Sequence, residues 1–153
     1  MRMKIGLALS LALVVASPAE ARRCGSSDQD ATRVGRAIQS FYDALGKDDR
    51  GAFERAVTRD FQAFEQGQRY TVSTLFKAIV ESHRSGRVIN WGISAVTVRV
   101  DCDTALATWD NVGSAGVPPN ILPRRWLESA LFRRSATGWR MEFLHSTVVT
   151  GAK

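Results

Sequence analysis

A chain of 153 residues, 44% hydrophobic and 24% charged, has the composition of one globular domain, with a core large enough to need neither a metal nor a dense set of disulfides. Its net charge of +6 comes from lysines and arginines spread along the chain rather than gathered on one helix. No helix-turn-helix, RNA-binding or zinc-finger pattern accompanies them, which argues against a nucleic-acid partner.

The first 21 residues read as an export signal. Arg2 and Lys4 form a basic start, Ile5 to Ala16 is an apolar run of 12 residues, and Ala19-Glu20-Ala21 is a small-x-small cleavage site. Twelve apolar residues are too few to span a bilayer. The expected mature protein is therefore periplasmic or secreted and off the membrane after cleavage. Residues 22–30 form a polar tail. It carries Cys24, for which Cys102 is the only possible partner within the chain, and an oxidising compartment permits that bridge.

A helix is predicted from about Asp30 to Leu45, because Val34, Ile38, Phe41 and Leu45 fall on one helical face; Gly46 is a plausible stop. Asp48 or Asp49 can cap a short second helix carrying Phe53 and Val57. "FQAFE", 61–65, reads as a short strand closed by the "QGQ" turn. Thr71 or Ser73 then caps a third helix carrying Leu75, Ile79 and Val80, which ends at Arg84 and Gly86. The remainder reads as β structure. Val88–Asp101 alternates as one long strand, with Gly92 a bulge or bend. Thr104–Val112 follows, then a three-proline loop at 113–123, then a hairpin of Arg125–Arg134 and Trp139–Val149 across "SATG". Three helices followed by long antiparallel strands make an α+β fold, with the helices on one face of a curved sheet.

That order, with "AIQSFYDALGKDDRGAF" at 37–53, "DFQAFEQGQRYT" at 60–71, "VDCDTALATW" at 100–109 and above all "WLESALFRRSATGWRMEFLHST" at 126–147, resembles the nuclear transport factor 2-like superfamily. Its relatives include ketosteroid isomerases and SnoaL-like polyketide cyclases, and the last segment looks like an exported branch of unknown function. The resemblance spans roughly residues 31–150. It implies a cone-shaped antiparallel sheet, closed on one side by three N-terminal helices and holding an apolar pocket.

A four-residue "SATG" loop would set Arg134 opposite Trp139, Phe132 opposite Met141, Ala130 opposite Phe143 and Glu128 opposite His145. Opposed residues share a sheet face, so His145 and Glu128 are expected together in the pocket. There a carboxylate can fix an imidazole tautomer and stabilise its charged form. By resemblance, Glu65 stands where the isomerases keep their carboxylate base. Their helix-1 tyrosine aligns best with Phe41, with Tyr42 adjacent but turned by about 100°, and their second acid aligns with Ala130. Trp91, Trp109 and Trp126, on predicted strands, with Tyr42, Asn111 and Phe143, are candidates to line a site for a planar or apolar ligand; Trp139 is placed on a strand as well. His83 reads as a surface or capping residue. No cysteine or histidine spacing makes a metal site, and phosphate-loop and nucleophilic-serine motifs are absent, so no cofactor is expected. Leu127, Leu131, Leu144 and Val148, on the opposite face, point to a sheet-to-sheet homodimer. The expected function is binding of a small apolar or aromatic molecule. Acid/base catalysis of isomerase or cyclase type by Glu65, with His145 and Glu128, is an alternative, and a protein-interaction module another.

Overall fold

The structure, a computed structural model, describes residues 27–150. The export signal, most of the polar tail and Cys24 lie outside the described residues. Cys102 is disulfide-bonded.

Helix α1 runs from Ser27 to Gly46, so the last residues of the expected tail, 27–30, are helical. Asp28 and Asp30 occupy its first turn, where negative charge opposes the helix dipole favourably. Its stripe of Val34, Ile38, Phe41 and Leu45 is buried. Helix α2, Arg50–Ala56, is capped by Asp49, whose side chain accepts from the Ala52 N–H. Strand β1, Val57–Glu65, begins four residues before the expected "FQAFE". Gln66 and Gly67, at φ 50° and 74°, form the tight turn into β2, Gln68–Thr71. Thr71 then caps α3, Val72–Arg84, through a reciprocal pair of bonds with Thr74. His83 bonds Asp48 at 2.8 Å and so ties α3 to the α1–α2 turn.

Five more strands complete the sheet: β3 Val88–Asn90, β4 Ile93–Asp101, β5 Thr104–Val117, β6 Asn120–Ser135 and β7 Gly138–Val148. The order is β2-β1-β7-β6-β5-β3, with β4 also on β5. The core lies between the helices and one sheet face, centred on Phe41, Phe53, Phe61, Phe132 and Met141, none of them more than 1% exposed. The fold is α+β, with three helices on a curved sheet. The sheet is mixed rather than wholly antiparallel, because β1 pairs parallel to β7.

Three further departures from the sequence expectation have physical causes. The strand expected over Val88–Asp101 breaks at Trp91-Gly92, where the chain presses onto β5. A Cβ on Gly92 would stand 2.3 Å from the Val112 carbonyl oxygen, and one on Gly113 1.9 Å from that of Asn90. Trp91 therefore sits in a bend, not on a strand. The expected loop at 113–123 is instead paired from Gly113↔Arg124 to Val117↔Asn120, with Pro118-Pro119 as a two-residue turn. Pro123 is tolerated because β6 has no β7 neighbour beyond Trp126.

The third departure is a bulge at Glu142. Arg134↔Trp139 and Phe132↔Met141 pair as the four-residue loop requires, but Leu131 then pairs with Phe143, Ala130 with Leu144, Ser129 with His145 and Glu128 with Ser146. One extra residue on β7 reverses which side chains face inward from there on.

Outside the pocket, the α1 start is locked to the β6–β7 hairpin. Asp30 is fully buried and takes two bonds from Arg134, at 3.0 and 2.6 Å, and one from the Trp139 indole at 3.3 Å. Arg134 also lies over the Trp139 ring and donates to the Cys102 carbonyl. These bonds hold the Asp30 carboxyl down to about 2, against the opposing effect of burial.

Candidate functional site

A cavity of about 660 Å³ opens between α1, α3 and the curved inner face of the sheet. Its walls are mostly apolar: Leu45 from α1, Leu75 and Ile79 from α3, Trp91 from the β3–β4 bend, Trp126 from β6 and Leu144 from β7. Two carboxylates, Glu65 and Glu128, face into it.

Glu128 is 6% exposed and held from several sides. The Tyr42 hydroxyl donates to its Oε2 at 2.7 Å, and the Asn111 amide nitrogen donates to the same oxygen at 3.1 Å. Asn111 is itself oriented by the β3–β4 bend, since the Gly92 N–H donates to Asn111 Oδ1 at 3.0 Å. With its oxygen so engaged, Asn111 presents only its NH₂ to Glu128. Ser146, opposite Glu128 on β7, also favours the charged form. So does the Trp109 indole, which is buried without a well-directed partner among the described residues. Burial outweighs these donors and raises the Glu128 pKa above the ordinary carboxylate range.

Glu65, at the end of β1, has fewer partners. Burial raises its pKa first and the charge of Glu128 raises it further, opposed by a bond from Gln66. Two carboxylates that share an apolar cavity favour retention of a proton between them. The Tyr42 hydroxyl is driven well up by burial and then by Glu128, so it serves as a donor and not as a base.

The expected site residues divide three ways. Glu65, Glu128, Tyr42, Trp91 and Trp126 line the cavity. Trp109 and Asn111 lie beneath its wall, where Trp109 meets the Tyr42 ring edge-on at 6.5 Å and Asn111 holds Glu128. His145 and Phe143 are on the other side of the sheet, which corrects the expected pairs Glu128–His145 and Ala130–Phe143. His145 is exposed in a shallow groove with Thr108, Ser129 and Thr147, and Phe143 packs edge-on against Phe64 at 5.0 Å. The Glu142 bulge is the cause. The same shift brings Leu144, Ser146 and Val148 to the cavity, so Leu144 and Val148 leave the outer face expected of them. Apolar residues stand at both 143 and 144, so the sequence left the inward face open at that point.

Among the described residues no group of three His, Cys, Asp or Glu is placed to hold a metal ion. Nor is any helix long and apolar enough to cross a membrane.

Comparison with solved structures places this architecture among known ones. A candidate dehydratase of the nuclear transport factor 2-like family from Streptomyces avermitilis superposes with a TM-score of 0.71 at 21% identity, over 81% of this chain and 99% of that one. A nuclear transport factor 2-like protein with a cystatin-like fold from Novosphingobium aromaticivorans gives 0.68 at 21% identity, over 81% and 84%. A ketosteroid isomerase-like protein from Erwinia carotovora atroseptica gives 0.65 at 18%, over 81% and 99%. No family model matches the sequence, and no curated protein matches it.

Proposed function

The chain has the nuclear transport factor 2-like fold, and on that premise we propose that it binds a small apolar or aromatic molecule in the cavity between its helices and sheet. The observation that carries this reading is the cavity itself. It has the volume of a small-molecule site and walls of Trp91, Trp126 and aliphatic residues, with Tyr42, Glu65 and Glu128 among its polar groups. A neutral aromatic probe, N-phenyl-1-naphthylamine, tests it. Its fluorescence should rise on titration with the protein, and Ala115→Trp, which fills the cavity from β5, should abolish the rise while circular dichroism stays native. No binding to the parent protein, or binding unchanged by Ala115→Trp, refutes the reading.

A second reading, acid/base catalysis, is favoured by the two carboxylates with raised pKa in one cavity. Glu65 has the fewer bonds and is the better proton acceptor, while Glu128 is engaged by Tyr42 and Asn111. A base of raised pKa suits proton removal beside a carbonyl. Deuterium exchange into 2-tetralone, followed by NMR, would be accelerated by the protein and lost in Glu65→Gln; equal exchange with both proteins counts against it.

The same proposal takes the protein as exported and homodimeric. Arg2, Lys4, the apolar run and the "AEA" site support export with cleavage after Ala21. Intact mass of the exported protein checks this, and a full-length, membrane-retained main form rejects it.

A further inference from the structure

Resting on the reading of the cavity as a binding site, we propose that its ligand is an amphipathic organic anion, with an apolar or aromatic body and an acidic group held by Arg124 and Arg87. The inward-facing row of β6 is Arg124, Trp126 and Glu128, and all three line the cavity. Arg124 and Glu128 are four residue steps apart along the strand, about 13 Å, with the Trp126 ring between them. On β5, Arg124 is paired with Gly113, and the next residue on that face is Ala115, paired with Leu122. Gly113 and Ala115 are too small to fill the space above them. On the far side of β5, Arg87 and Ile89 face the same cavity from the start of β3.

Neither Arg87 nor Arg124 has an acidic partner among the described residues. Arg125, the next residue on β6, does: it faces the outer side and pairs with Asp110 at 3.0 Å. Arg87 and Arg124 line the cavity while remaining exposed, so a ligand can reach them, and guanidinium groups suit carboxylate, sulfonate or phosphate oxygens through paired N–H donors. The other end of the cavity carries both acids, Glu65 and Glu128, which would repel an anion. The charge layout therefore sets the direction of binding: acidic group at the arginines, body along Trp126 and Trp91, and an uncharged hydroxyl or carbonyl toward Tyr42 and Glu128.

The test compares two dyes that share an anilinonaphthalene frame, neutral N-phenyl-1-naphthylamine and its sulfonated counterpart 1-anilinonaphthalene-8-sulfonate. Both should bind, the sulfonate about tenfold more tightly at low salt. Arg87→Gln/Arg124→Gln should bring the ratio to near one, chiefly by weakening the sulfonate. Arg36→Gln/Arg55→Gln, on exposed arginines elsewhere, should leave the ratio intact. Equal affinities in the parent protein, a ratio unchanged in the Arg87/Arg124 variant, or sulfonate binding that survives Ala115→Trp would each overturn the inference while the neutral-dye result still decides the cavity reading. Binding of neither dye overturns both.

Discussion

Asp30 and Glu65 show how two carboxylates of one small protein can contribute to stability with opposite pH dependence. Asp30 is held down to about 2 by Arg134, Trp139 and Arg33, against an ordinary value of 3.8. Its contribution is complete above the unfolded value and is lost as pH falls from 3.8 toward 2. Asp30→Ala should cost about 2–3 kcal/mol at neutral pH, as for other bonds to charged groups, and should flatten the acid limb of a urea-unfolding series. For Glu65 the folded value is raised above 4.5, so the folded state binds the proton more tightly. The resulting penalty is absent below 4.5 and grows as pH rises through the folded value. Glu65→Gln should therefore melt higher than the parent near pH 7 and show no such advantage near pH 3; an equal gain at both would refute this assignment. Glu65 was reached through the family resemblance and Glu128 through a hairpin count that set it opposite His145, and both line the cavity. The Asp30 clamp was not legible in the sequence, since Arg134 and Trp139 lie more than 100 positions away and no local pattern connects them.

At the scale of elements, helix boundaries followed from apolar spacing and caps, while strand interruptions depended on contacts between distant segments. The Glu142 bulge is the clearest case. Phe143 and Leu144 are both apolar, and alternation alone does not choose which faces inward. The choice is made by Phe64 on β1, which gives Phe143 a partner on the outer side. The β1 register breaks at the same place, between Val57↔Met141 and Gln62↔Phe143. The Trp91-Gly92 bend is similar: glycines at 92 and 113 are visible in the sequence, but only the fold shows that each lies against a carbonyl of the other segment. Gly113→Ala should cost about 1–3 kcal/mol through overpacking. It should also weaken binding of the neutral dye, because the bend carries Trp91 and the Gly92 N–H that orients Asn111. Native stability in that variant, read by urea unfolding, would show that the bend yields easily.

For the molecule as a whole, the helices leave one sheet face uncovered. Leu106, Val112 and Leu127 are 44, 55 and 51% exposed, and Leu106 and Leu127 face outward on neighbouring strands. A twofold contact between two such faces would remove them from water. Light scattering should give a dimer for the parent protein and a monomer for Leu127→Glu; a parent monomer at about 10 μM, a concentration where ordinary subunit contacts persist, would reject it. β7 is the domain's final strand, yet it lies between β1 and β6 in the middle of the sheet. Until residues 138–148 leave the ribosome, β1 has only the short β2 beside it, and the aromatic faces of α1 and α2 lack Trp139 and Met141 to close on. A nascent chain lacking that strand cannot complete its core, so folding waits for the end of the domain's synthesis. If the chain is exported as proposed above, such a delay would keep it threadable through a translocation channel.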